Sequence, residues 1–122
     1  MLSLLLVSLS ISTSAGGVID LATVGQWTLS GGQYDQLEVT VPGSVYTDLQ
    51  TAGILGSLYY RFNDVEYRWV AKHNWTYSTV LTLSQAQLDR EVIQLDCHGL
   101  DTVATIIINQ EVVATTNNMF IR

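Results

Sequence analysis

The chain has 122 residues, of which 48% are hydrophobic and 13% charged, and its formal net charge is −6. This length bounds it to one small domain, and the hydrophobic fraction with so few charges excludes an intrinsically disordered chain. An acidic chain repels phosphate backbones, so nucleic acid is not expected as a partner.

The N-terminal residues predict a secretory signal peptide over residues 1–15. The run MLSLLLVSLSISTSAGG starts with leucine-rich apolar residues and ends in small ones, and Thr13-Ser14-Ala15 fits cleavage after Ala15. The alternative is a buried strand or helix of the mature fold, and the absence of Lys and Arg from the first residues departs from the signal pattern. The run is too short to span a membrane. We therefore expect residues 16–122 to form the mature part.

The cysteine and histidine content argues against a disulfide framework and against a metal site. Cys97 is the only cysteine, so it has no partner within the chain. Its sequence context, EVIQLDC, predicts a small buried hydrophobic side chain. Together with His73 and His98 it supplies too few ligands at a recognisable spacing, so neither a metal nor another cofactor is expected.

The first part of the mature chain predicts two strands and a short helix. GQWTLS, which contains Trp27, and LEVTVPG each read as strands, and Pro42 ends the second because it cannot donate to a ladder. SVYTDLQTAG predicts a helix with Ser44 as its N-cap and Gly53 as the left-handed residue after its end.

Residues 59–78, YYRFNDVEYRWVAKHNWTYS, concentrate the chemistry of the chain. They hold seven of its eleven aromatic residues, three of its five basic residues and its only N-glycosylation sequon. Asn63 followed by Glu66 resembles a capping box, which predicts one or two helical turns at this point.

The pattern changes to a period of two at Trp75 and predicts a strand. Trp75 and Tyr77 then share one face, and Asn74 and Thr76 share the other. Since the sequon is Asn74-Trp75-Thr76, the strand would direct a glycan on Asn74 outward while Trp75 points inward.

The rest of the chain predicts further strands and completes the fold class. EVIQLDC and DTVATIIIN are dense in β-branched residues and are predicted to be joined by a turn at residues 98–100. Asn109-Gln110 predicts a tight hairpin turn into EVVATT, and SQAQLDR a helical turn from Ser84. We expect an all-β, antiparallel β-sandwich with one or two short helices, whose C-terminal hairpin leaves unpaired edges.

Four blocks carry a resemblance to a known family. VPGSVYTDLQTAGIL, YYRFNDVEYRWVAKHNWTYS, GLDTVATIIIN and TTNNMF follow the opening around Trp27 in the order and spacing of the N-terminal sugar-binding domain of lysosomal β-mannosidases, members of glycoside hydrolase family 2. The resemblance covers residues 25–122. It implies a jelly-roll, galactose-binding-domain-like sandwich that is incomplete at the C-terminus, since the family continues into another strand of the same sandwich. It also implies a location in the secretory pathway and lysosome, or secretion.

The resemblance also implies where the chemistry lies. The family removes terminal non-reducing β-D-mannose from glycoprotein oligosaccharides with retention, using two glutamates of a TIM barrel flanked by immunoglobulin-like domains. Neither glutamate lies in this chain, so no catalytic residue is expected here and the chain alone should be inactive. Its partners would be the barrel, the immunoglobulin-like domains and the oligosaccharide substrate.

A stand-alone secreted carbohydrate-binding module is the alternative, and the two hypotheses make different demands on the chain. A module must close its own sandwich and expose several rings on one face. A fragment of a larger enzyme should instead expose the apolar faces of TIIIN and VVATT.

The aromatic segment leaves three interpretations open. A sugar-stacking platform would use Tyr59, Tyr60, Trp69 and Trp75 beside Arg61, Arg68 and Asn63. We favour instead a core and an interdomain junction built from Tyr60, Phe62, Trp69, Trp75 and Tyr77, with Trp27, Trp69, Trp75 and Tyr77 as structural core residues. Between these lies a substrate-proximal loop whose candidates are Arg61, Asn63 and Asp64. A catalytic Asp64/Glu66 pair is disfavoured, because residues two apart on a helical turn do not face each other.

Overall fold

The structure is a computed structural model and describes residues 5–13 and 17–120. Its described strands are antiparallel and form a four-stranded sheet, a three-stranded sheet and a two-stranded hairpin, which confirms the all-β prediction. The strands are β1 (Leu5–Thr13), β2 (Val18–Asp20), β3 (Trp27–Gly31), β4 (Tyr34–Val39), β5 (Gly43–Ser44), β6 (Trp75–Ser78), β7 (Ile93–Asp101), β8 (Ala104–Ile108) and β9 (Glu111–Thr116). The helices are α1 (Leu21–Val24), α2 (Val45–Thr51), α3 (Asn63–Glu66), a 3-10 helix (Tyr67–Lys72) and α4 (Gln85–Leu88).

Strand β1 lies at the centre of the four-stranded sheet. It pairs with β7 along one edge, and β2 and β5 pair with it as well. Strand β1 lies within residues 1–15, for which the sequence predicts a signal peptide. In the full chain this segment is therefore a strand, which is the alternative interpretation of the same residues. The predicted cleavage point after Ala15 lies outside the described residues, and the signal peptide stays a prediction.

Strand β7 corrects one prediction. The turn expected at residues 98–100 is wrong, because β7 continues through these residues to Asp101. The ladder with β1 extends to Leu100 and Asp101, and its register shifts lie where Gly99 is paired. The glycine is thus accommodated as an irregularity inside a strand rather than as a turn. This continuation brings Leu100 into the core, where it is buried.

Two apolar clusters form the core, and β3 reaches both of them. Trp27 belongs to the first cluster and Leu29 to the second, as residues two apart on one face of a strand. The buried members of the first cluster are Leu21, Trp27, Val41, Leu100 and Ala104. Those of the second are Leu29, Val45, Leu49, Leu55, Val70 and Trp75.

Helix α2 begins and ends as its sequence predicts. The Ser44 side chain accepts a hydrogen bond from the Thr47 backbone N–H, and the Thr47 hydroxyl accepts one from the Ser44 backbone N–H. Gly53 follows the helix with φ of +74°, a left-handed conformation that costs glycine little. Between these ends, Val45 and Leu49 lie four residues apart on the face buried in the second cluster.

The hairpin of β8 and β9 contains the predicted tight turn. Asn109 and Gln110 both have positive φ, 50° and 70°, as a two-residue turn of type I′ requires. One side of β8 faces the first cluster, where Ala104 is buried and Ile106 is partly buried. The other side carries Ile107, which is exposed.

Candidate functional site

The aromatic segment divides into an exposed half and a half that packs inward. Tyr59 is 98% exposed and Phe62 75% exposed, whereas Trp75 is only 2% exposed. Tyr60 is exposed like its neighbours, while Trp69 and Tyr77 pack, partly buried, against the second cluster. Trp27 is buried in the first cluster.

This division excludes Trp75 from a stacking platform and leaves Tyr60 and Phe62 only the interdomain-junction part of the favoured interpretation, which stays a prediction. The rings of Tyr60 and Phe62 do not fill a core among the described residues, because they project from a loop between α2 and α3. A stacking platform cannot include Trp75, since its ring is enclosed by the protein. Within residues 59–78 the most exposed rings are those of Tyr59, Tyr60 and Phe62, in a loop of residues 57–63 that we call the ring loop.

Hydrogen bonds within the ring loop fix its shape. The Tyr60 N–H donates to the Ser57 carbonyl at 3.3 Å, and the Asn63 N–H donates to the Tyr60 carbonyl at 3.1 Å, so two turns follow one another. The Asn63 side-chain amide also donates to the Ser57 carbonyl at 2.7 Å. Just before the loop, the Gly56 N–H donates to the Tyr67 hydroxyl at 3.0 Å. The loop is thus held by bonds to its own backbone, and the exposed rings take no part in them.

Arg61 occupies the middle of the ring loop in a left-handed conformation, with φ of +53°. This conformation is uncommon for a residue with a Cβ. Its guanidinium carbon lies 5.1 Å from the centroid of the Tyr60 ring, within the range of a cation–π contact. Ring and guanidinium together form an exposed, planar-faced group at the surface.

The other two substrate-proximal candidates lie at the end of the loop. Asp64 is exposed, whereas Asn63 is half-buried and its amide nitrogen is already bound to Ser57. The predicted capping box is therefore wrong: α3 has Phe62 as its N-cap residue and makes no side-chain capping bond. The Asn63 side chain instead bonds to the carbonyl of Ser57 in the preceding turn and makes no bond to the start of α3.

The sequon lies at the start of β6 with its acceptor side chain outward. Asn74 and Thr76 are exposed, while Trp75 between them is buried and donates from Nε1 to the Val70 carbonyl at 2.8 Å. Alternation along the strand produces this arrangement. The acceptor amide is accessible, and modification at Asn74 stays a prediction.

A buried carboxyl group is the feature that the sequence reasoning missed. Asp48 of α2 is only 7% exposed, and its Oδ2 accepts a 2.6 Å hydrogen bond from the Tyr77 hydroxyl. Burial raises the pKa of the Asp48 carboxyl, and the hydrogen bond from Tyr77 opposes this in part. Burial, with the same hydrogen bond and the charge of Asp48, also raises the pKa of Tyr77. The helical spacing could have predicted this burial, because Asp48 is three residues after Val45 and lies on the same buried face of α2.

The remaining candidate groups offer little chemistry. Burial, followed by the charge of Asp96, raises the pKa of the half-buried Cys97 thiol, which makes it a poor nucleophile. His73 is exposed, with Nδ1 2.8 Å from the Trp69 carbonyl oxygen. Within residues 5–13 and 17–120, no group of three or more His, Cys, Asp or Glu side chains could hold a metal ion. In the same part of the chain, the helices are too short or too polar to cross a membrane.

Comparison with known proteins identifies the domain. The family model described as glycosyl hydrolase 2 galactose-binding domain-like matches residues 27–122. The chain is 41% identical to rat β-mannosidase over 80% of its length, 37% identical to bovine β-mannosidase over 86%, and 32% identical to β-mannosidase A of Emericella nidulans over 91%. The matched region spans only 11–12% of these relatives. No solved structure gave a significant match. The chain therefore belongs to the galactose-binding domain-like family of glycosyl hydrolase 2.

Proposed function

We propose that this chain is an N-terminal fragment of a lysosomal exo-β-mannosidase. In this proposal the parent enzyme removes terminal non-reducing β-D-mannose residues from glycoprotein oligosaccharides with retention. The chain itself is a non-catalytic β-sandwich that supports a catalytic barrel and contacts immunoglobulin-like domains. The length of the relatives supports this, because most of each β-mannosidase lies outside the matched region.

The hairpin of β8 and β9 is the observation that carries the proposal. Ile107 is 57% exposed and its cross-strand neighbour Val112 is 62% exposed, and Ile108 and Val113 are exposed beside them. Within the described residues the hairpin pairs with no other strand. A stand-alone domain would usually cover or charge such an edge. The face instead suits a protein in which further strands or another domain cover it.

The carboxylates of the chain support the proposal that the chain itself is non-catalytic. A retaining glycosidase needs two carboxyl groups about 5 Å apart, one as nucleophile and one as acid and base. Asp64 and Glu66 are both exposed and lie two residues apart on one helical turn, where side chains do not face each other. Asp48 is buried against Tyr77 and out of reach of a substrate. In our proposal the reaction is carried out by residues outside this chain.

The ring loop is the part of the chain that we propose lies next to substrate. Arg61 and Asp64 offer an exposed donor and an exposed acceptor for sugar hydroxyls. Asn63 contributes chiefly by bracing the loop through Ser57, which leaves its amide carbonyl for a ligand. We place the loop at the edge of the active-site mouth that the barrel provides.

A stand-alone carbohydrate-binding module remains the second candidate, and the ring loop favours it. Tyr59, Tyr60 and Phe62 are exposed in succession, and Arg61 lies against one of these rings. Exposed rings with a nearby guanidinium suit the apolar face and the hydroxyls of a pyranose. The size of the natural product separates the two candidates.

We expect the natural product that contains residues 59–78 to be much larger than 122 residues and to carry β-mannosidase activity. An antibody against this segment would be used to probe size-fractionated extracts of the source, and activity would be assayed across the same fractions. A large immunoreactive species that co-migrates with activity supports the enzyme fragment. A small, soluble, glycosylated species without activity contradicts it and favours the module.

We also propose that the product passes through the secretory pathway and carries a glycan on Asn74. In a secreting cell, Asn74→Gln should abolish the mobility shift that endoglycosidase treatment removes from the wild-type chain. Thr76→Ser keeps the sequon and serves as the matched control, whereas Thr76→Ala destroys it without touching Asn74. A wild-type chain that endoglycosidase leaves unchanged would contradict the glycan on Asn74.

A further inference from the structure

The contact between Asp48 and Tyr77 joins α2 to β6 at the boundary of the core. The Tyr77 hydroxyl donates to Asp48 Oδ2 at 2.6 Å, and Tyr77 packs against the second apolar cluster. Gly43 of β5 faces the same carboxylate, since a Cβ added there would lie 3.3 Å from Oδ1 and 3.4 Å from Oδ2. The carboxyl group of α2 therefore bonds to β6 and lies near the Gly43 backbone of β5.

The surroundings of this carboxyl group lack a compensating charge. Tyr77 of β6 is the titratable group that faces it, while β5 presents only the Gly43 backbone. On α2 its buried neighbours are Val45 and Leu49. In the described part of the chain no Lys, Arg or His forms an ion pair with Asp48. A buried carboxylate without a cation destabilises the fold, whereas its protonated form does not carry that cost.

We propose that Asp48, buried against Tyr77, forms a pH-dependent clamp between α2 and β6. Protonation removes the cost of burying an unpaired carboxylate, so the fold is more stable at acidic pH than at neutral pH, although the hydrogen bond from Tyr77 is itself stronger to the ionised carboxylate. The established relationship of the chain to its family does not assign this role. The clamp depends on no catalytic function, so its test is independent of the enzyme-fragment proposal.

The direction of the pH dependence follows from the raised pKa of Asp48. In the unfolded chain an aspartate titrates at about 3.9. Between that pH and the higher folded-state pKa, the folded chain holds a proton that the unfolded chain has released. The stabilisation is complete below the unfolded pKa and is lost as the pH rises through the folded pKa. Within this interval the unfolding equilibrium constant rises by up to about tenfold per pH unit.

The test is urea denaturation of the full 122-residue chain at a series of pH values from acidic to neutral. For the wild type, the Asp48 contribution should move the urea midpoint upward as the pH falls. Asp48→Asn replaces the carboxyl by a neutral amide that can still accept from Tyr77, so this component of the pH dependence should disappear. Asp89→Asn, which neutralises an exposed carboxylate at the end of α4, is the matched control and should retain it.

A second variant distinguishes the clamp from ordinary packing. Tyr77→Phe removes the hydrogen bond that lowers the pKa of Asp48, so the acid-stabilised interval should extend to higher pH. A purely structural role would lower stability equally at every pH. Should Asp48→Asn fail to fold, carbon-13 NMR of the Asp48 carboxyl in the wild type measures its titration directly. Titration of Asp48 at or below the usual aspartate range, or parallel pH profiles for wild type and Asp48→Asn, would each overturn the clamp.

Discussion

Replacing Trp75 by alanine should lower the free energy of unfolding by about 3–5 kcal/mol, the range for truncating a large buried aromatic side chain. Trp75 is the largest of the fully buried side chains and belongs to the second cluster. Truncation removes its apolar contacts and its hydrogen bond to Val70, and it leaves a cavity beside Gly31. A loss of this size is a large fraction of the stability of a small domain. Urea denaturation monitored by circular dichroism measures it.

Trp75→Phe is the control for this experiment. It keeps an aromatic ring in the cluster but removes the indole N–H that donates to Val70, so it should cost clearly less than alanine. Gly31→Ala tests the same contact from the other side, because its Cβ would lie 2.5 Å from Trp75 Cε3. If Trp75→Ala had the same urea midpoint as the wild type, the conclusion that this ring is buried would be wrong.

The second large effect concerns the exposed face of the hairpin. We expect the exposed hairpin face to cause self-association of the isolated chain, so the double substitution of Ile107→Thr and Val112→Thr should markedly weaken this association and leave the urea midpoint nearly unchanged. Both side chains are exposed, so threonine removes apolar surface without opening a cavity, and its β-branched shape suits a strand. Sedimentation velocity over a concentration series measures the association.

In a longer natural product the same double substitution should lower stability instead of leaving it unchanged. If further chain covers the hairpin, threonine there places hydroxyl groups in an apolar contact and lowers stability. Val80→Thr is the matched control, because it removes one exposed apolar group away from the hairpin and should be neutral in both settings. Equal, negligible effects of the double substitution in the chain and in the longer product would contradict a covered hairpin.

The elements that the sequence predicts well are those with strong local signals. Ser44 and Gly53 bound α2 because capping and left-handed geometry are decided within a few residues. Asn109 and Gln110 form the hairpin turn for the same reason. The alternation that begins at Trp75 is likewise visible in the structure, with this ring buried and Thr76 exposed.

Two of the three misses occur where distant residues decide the outcome, and the third is a choice between local partners. Gly99 lies inside β7 because pairing with β1, from the other end of the chain, extends the ladder past it. Asn63 has two possible local partners, and its bond to Ser57 excludes the capping role. The burial of Asp48 depends on Tyr77, which lies far along the chain and only becomes its neighbour once β6 is in place. Periodicity alone does not contain these long-range contacts.

The pairing of β1 also determines when this sheet can form. Leu5 pairs with Asp101, so synthesis must reach residue 101 before this pair can form. Contacts at such separation form slowly, because the intervening loop must lose entropy before the ladder compensates for it. A leader removed after Ala15 during translocation would leave the nascent chain before this event. The edge of β7 that pairs with β1 in the full chain would then be left open to another strand.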